Sequence, residues 1–96
     1  MTFHPEYQKD IDTAISILKA EGCDEIYVFG SLAEGGVPHS GTDIDIAVRG
    51  LPRTRFFGIY GRLLSSLDHS IDLVDLDGKT PFARVLEKKG TLHRVA

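Results

Sequence analysis

The chain has 96 residues, 42% of them hydrophobic, with a formal charge of -3 and a single cysteine. That is enough chain and apolar content for one modest core but not two, which excludes disorder and leads us to expect a single domain over residues 1–96. The acidic balance excludes affinity built on covering many nucleic-acid phosphates, and one cysteine excludes an internal disulfide or a cysteine-rich zinc centre.

Ile11, Ile15 and Leu18 recur at helical spacing and predict a helix over residues 6–20. The compact run Ile26-Tyr27-Val28-Phe29 then predicts a strand over 25–29. Gly30 marks the turn that follows. Ser31 suits the N-cap of a short helix whose free amides would point at phosphate, although the same two residues also suit an ordinary tight connection and cap. Gly35 to Gly41, with His39 inside it, is expected to connect this turn to the next strand.

That strand is predicted over 43–49, where alternation sets Asp43 and Asp45 on one side and Ile44, Ile46 and Val48 on the other. Two carboxylates so placed suit magnesium, which binds through carboxylate and phosphate oxygens; an exposed strand face or an Asx loop is the plainer account. Residues 54–67 form a predicted helix with Phe56, Phe57, Ile59, Tyr60, Leu63, Leu64 and Leu67 as a broad apolar surface. Most of it belongs to the core, with Phe57 or Tyr60 as candidates for an adenine contact. A strand over 70–75 carries Asp72 toward the same ions. Alternation turns Asp75 away, and the run Asp75-Leu76-Asp77-Gly78 reads as strand exit and turn. A last helix begins after Pro81 and closes at Lys88, Lys89 and Gly90. His4, His39, His69 and His93 have no metal-ligand cadence.

The Gly-Ser turn at Gly30 and Ser31, the strand Asp43 to Val48, the segment Ile71 to Val74 and the closing helix together resemble the minimal nucleotidyltransferase domain of the DNA polymerase beta superfamily. Among its members the small antitoxins encoded beside HEPN-domain partners are most similar. The resemblance covers about residues 26–92. It implies an α/β or α+β fold with a small mixed β-sheet and packed helices. It also implies nucleotide-phosphate binding at Gly30 and Ser31, Mg2+ at Asp43, Asp45 and Asp72, and activation of the receiving hydroxyl by Asp72. Leu32 and Glu34 stand where many members have basic residues, and Arg49, Arg53, Arg55 or Lys79 are the candidates to compensate.

The implied reaction is transfer of AMP from ATP to a hydroxyl, expected to be a tyrosine of a HEPN-type toxin. Two alternatives stand beside it: a non-catalytic, nucleotide-dependent antitoxin that only binds, and nucleotidylation of a small hydroxyl compound. The expected assembly is a homo- or hetero-oligomer, with the exposed side of the 56–67 helix and the segment 86–95 as candidate surfaces. Neither a membrane span nor a secretory signal is legible, so a cytoplasmic location without membrane or nucleic-acid partners is expected.

Overall fold

The computed structural model describes residues 3–34 and 42–96. Helix α1 is Pro5–Ala20, begun by a proline whose missing N–H costs nothing at the first turn and by the His4 ring, which accepts from the Glu6 amide. Strands β1 (Glu25–Phe29) and β2 (Ile44–Arg49) follow, then a 3-10 turn at Arg53–Arg55 that leads into α2 (Phe56–Ser66). Strand β3 (Ile71–Asp75) is followed by a second 3-10 turn, then by α3 (Pro81–Lys89) and the two-residue strand β4 (His93–Arg94). The Thr80 hydroxyl accepts from the Ala83 amide at 3.2 Å and caps α3, and Gly90 ends it with φ 64°.

The four strands make one mixed sheet in the order β3-β2-β1-β4. Strand β1 is antiparallel to β2 and β4, while β2 and β3 are parallel. Alternation along the strands divides the side chains between two cores. Ile26, Val28, Ile44, Ile46, Val48, Ile71 and Leu73 face α1 and α2 and form the larger one, with Ile11, Leu18, Ile59 and Leu63. Phe29 and Ala47 face the other way and pack with Leu76, Ala83 and Leu86 under α3. Among the described residues, the short helix α3 covers this second face.

The apolar spacing places every predicted helix and strand close to where it forms. After Ser31, however, a single turn forms over residues 31–34, in which the Gly30 carbonyl accepts from the Ala33 and Glu34 amides at 3.1 Å each. The expected connection Gly35 to Gly41, including His39, lies outside the described residues. Strand β4 has no counterpart in the sequence reading, because two residues carry no periodicity. It joins the β1 edge, and the Val95 amide bonds the Ile26 carbonyl at 2.8 Å. Within segment 86–95, Leu86 is buried and Val95 packs on the larger core, while Glu87 to Gly90, His93 and Arg94 are exposed.

Asp10 ties α1 to the start of β3. Its buried carboxylate accepts from the Asp68 and His69 amides at 3.1 and 2.9 Å and meets His69 Nδ1 at 2.7 Å. Burial pushes its pKa up, but the hydrogen bonds from Asp68 and His69 outweigh burial and leave it below the ordinary value. Tyr7, one turn earlier, stacks on the His69 ring and donates to the Thr42 carbonyl at 3.3 Å. One face of α1 thus holds the entries to both β2 and β3. Among the described residues, no helix is long and apolar enough to cross a membrane.

Candidate active site

Parallel pairing of β2 with β3 sets Asp45 directly beside Asp72, and antiparallel pairing of β1 with β2 sets Phe29 opposite Asp45. These residues share the parity of Ala47, so both carboxylates stand on the α3 face rather than under α1 and α2. Asp43, exposed just before β2, has the same parity and acts on Asp45 through its charge. The pKa of Asp45 is pushed up to about 6, first by burial, then by the negative charges of Asp72 and Asp43 and by a hydrogen bond to Asp72. A cation bound beside it would favour the charged form and lower the pKa again.

The turn after β1 abuts this cluster. Gly30 has φ 74°, and a Cβ built there would overlap the Asp45 carboxylate. Only glycine allows the backbone to pass so close. Ser31 is exposed at the head of the turn, whereas Leu32 and Ala33 are buried in the larger core. The place where a basic residue was sought at Leu32 is therefore an anchoring position, and Glu34 is exposed.

The donor chemistry fits Mg2+, a hard ion that usually takes one or two carboxylates and completes its shell with water and substrate phosphate. Among the described residues, no three His, Cys, Asp or Glu side chains form a ready-made cation cage.

The architecture recurs in solved structures. A chain of a toxin-antitoxin crystal structure with AMP-PNP is 28% identical with a TM-score of 0.67, matching 90% of this chain and 69% of its own length. The MntA-HepT toxin-antitoxin gives 25% identity and a TM-score of 0.64 over 91% of this chain and 69% of that one. A complex of tri-AMPylated Shewanella oneidensis HEPN toxin with MNT antitoxin gives 31% identity and a TM-score of 0.56, over 76% and 58%. This chain has the fold of a minimal nucleotidyltransferase domain. Comparison with protein-family models and with curated proteins gives no match.

Within this fold the two acids of the β3 segment part company. Asp72 stands at the carboxylate cluster, while Asp75 accepts from the Asp77 amide at 2.9 Å and caps the 3-10 turn Leu76–Gly78. The cations are unevenly placed. Arg49 is held by Glu87 at 2.6 Å, Glu25 at 3.7 Å and Asp77 at 3.9 Å. Arg53 donates to the Asp77 carbonyl, and Arg55 pairs with Glu21 on the α1 side. The Lys79 ammonium enters no ion pair among the described residues, which makes it the least committed of the four.

Phe57 and Tyr60 are not at the site. Helix α2 covers the sheet face opposite Asp45 and Asp72, and the Tyr60 hydroxyl donates to the Ile71 carbonyl at 3.0 Å. The sequence reading passed over Phe82, which stands on the carboxylate face with its ring 6.2 Å from that of Phe29. The available signal was its place between Pro81 and Ala83, off the buried stripe of α3. A hollow of about 450 Å³ lined by Arg84, Glu87 and Lys88 lies farther along α3 and includes none of the three aspartates.

Proposed function

We propose that this chain is an antitoxin that transfers AMP from ATP to a tyrosine hydroxyl of a HEPN-type toxin. The observation that carries the proposal is the pairing of Asp45 with Asp72 across β2 and β3, with Asp43 acting on the same centre and Gly30 pressed against it. Solved relatives of the fold support the partner class, since they are toxin-antitoxin complexes, one with AMP-PNP and one containing a tri-AMPylated HEPN toxin.

Asp43, Asp45 and Asp72 would hold Mg2+ through carboxylate oxygens. When bound, the ion neutralises triphosphate charge and eases ionisation of the attacking hydroxyl. Asp45, with its pKa near 6, is largely a carboxylate at neutral pH and is available to the ion. The Gly30 and Ser31 turn holds the β- and γ-phosphates, and Asp72 orients the phenol and accepts its proton. The phenolic oxygen forms a bond to the α-phosphorus, the bond from that phosphorus to the α,β-bridging oxygen breaks, and pyrophosphate leaves.

The test is an intact-mass measurement on the cognate HEPN partner after incubation with this chain, ATP and Mg2+. A gain of one or more AMP units on the partner supports the reading. A stable complex with an unmodified partner would replace it with the binding-only antitoxin, and AMP on a small hydroxyl compound alone would point to a different acceptor.

A further inference from the structure

We propose that Phe82 is the nucleobase platform of this site, stacking the base of the nucleotide whose phosphates lie at Gly30 and the aspartates. The inference rests on the nucleotide reading above and deepens it by assigning the part of the substrate that the carboxylates do not touch.

Phe82 is 54% exposed, so its ring is accessible to a ligand. Its position is nevertheless fixed. The Thr80 cap and Pro81 set the first turn of α3, and the ring meets Phe29 edge to face at 62°. Phe29 is buried and is the register partner of Asp45, so Phe82 stands one aromatic ring away from the carboxylate cluster. Ala83 and Leu86 anchor the same helix beneath it, leaving the Phe82 ring to face outward.

The competing aromatic residues are otherwise placed. Phe57 is exposed, but it sits on α2 across the sheet and touches Phe56. Tyr7 is buried against His69, and the Tyr60 hydroxyl is bound to backbone. Tyr27 shares the face of Phe82, but its hydroxyl bonds Glu25 in the Arg49 cluster. Phe82 is the exposed phenylalanine on the carboxylate face. A flat, rigid ring beside a phosphate-binding turn suits a base, because every base offers a π-face to stack.

Binding of ATP and of inorganic tripolyphosphate, each with Mg2+, separates the platform from the phosphate site. Calorimetry on Phe82→Ala and Phe82→Leu should show ATP weakened by about tenfold, the scale of base-aromatic stacking, with tripolyphosphate unchanged. Phe82→Tyr should restore ATP affinity, and Phe57→Ala should alter neither ligand. The leucine variant keeps apolar packing on Phe29, so loss of ATP in that variant reports the ring itself. Equal losses of both ligands, or ATP binding indifferent to Phe82, would overturn the platform while leaving the phosphate site standing. An unaltered protein that binds neither ligand would overturn the nucleotide reading, and the platform with it.

Discussion

Asp45 and Asp72 are neighbours because β2 and β3 are parallel and in register at those two positions, and burial together with the charges of Asp72 and Asp43 raises the Asp45 pKa to about 6. Strand alternation alone would place each acid on a face; only the pairing places them together. Two carboxylates forced close on a half-buried sheet face repel unless a proton or a cation intervenes. The fold thus holds an electrostatic cost where a magnesium-bound nucleotide would relieve it.

That cost has a measurable pH signature. Unfolded Asp45 releases its proton near 3.8 and the folded residue near 6, so between those values the native state binds more protons. Its contribution therefore lowers stability as pH rises through that window and is flat above it. Asp45→Asn lacks the titration, and without divalent cations it should gain about 1–2 kcal/mol over the natural protein on going from pH 4 to pH 7.5, after allowance for partial solvent screening. Denaturant unfolding of both proteins at the two pH values checks this. Stability curves that run parallel would show that Asp45 is not under this strain.

Asp72 and Asp75 should separate cleanly in kinetics. Asp72→Asn keeps side-chain shape but loses the carboxylate at the cluster, and initial pyrophosphate release with the partner should fall about 10²-fold or more. Asp75→Asn alters a turn cap and should have a small effect on the rate. A folded Asp72 variant with undiminished transfer, beside a dead Asp75 variant, would reverse the assignment.

Gly30→Ala combines two penalties, a side chain at φ 74° and an overlap with the Asp45 carboxylate. The first alone costs about 1 kcal/mol, so a loss of at least that size is expected in denaturant unfolding. Displacement of the Asp45 carboxylate should also abolish transfer. Full activity with unchanged stability would mean that the turn does not press on the carboxylate.

How much of this was legible in the sequence depends on the range of the interaction. Alternation along Ile44, Ile46 and Val48 fixed the face of Asp45, and the apolar spacing of α1 and α2 fixed their buried sides, because those signals repeat within a few residues. The adjacency of Gly30 and Asp45 was legible only through family resemblance, since nothing local links a turn to a later strand. The Asp10 contact with His69 spans 59 residues and leaves no periodic trace. Strand β4 escaped because pairing with β1, rather than its own two residues, defines it. Phe57 and Tyr60 were plausible base contacts until α2 was seen to cover the other face.

Asp10 offers a test of the scaffold that supports the site. Asp10→Ala leaves the Asp68 and His69 amides without their acceptor and should cost about 3 kcal/mol. In the natural protein the folded pKa of Asp10 lies below 3.8, so its contribution is fully present above that value and is lost as pH falls through the folded pKa. Urea unfolding at neutral pH and across the acid range checks both statements. A variant as stable as the natural protein at neutral pH would show that the contact does not hold the start of β3.

The most direct test of the account uses ATP labelled in turn at the α- and γ-phosphate, incubated with this chain, Mg2+ and the cognate HEPN partner. AMP transfer predicts label on the partner from α-labelled ATP alone, with pyrophosphate released in equal amount and the signal lost in Asp72→Asn. Label arriving from the γ-position, or none from either position on a partner that is nonetheless bound, would contradict it.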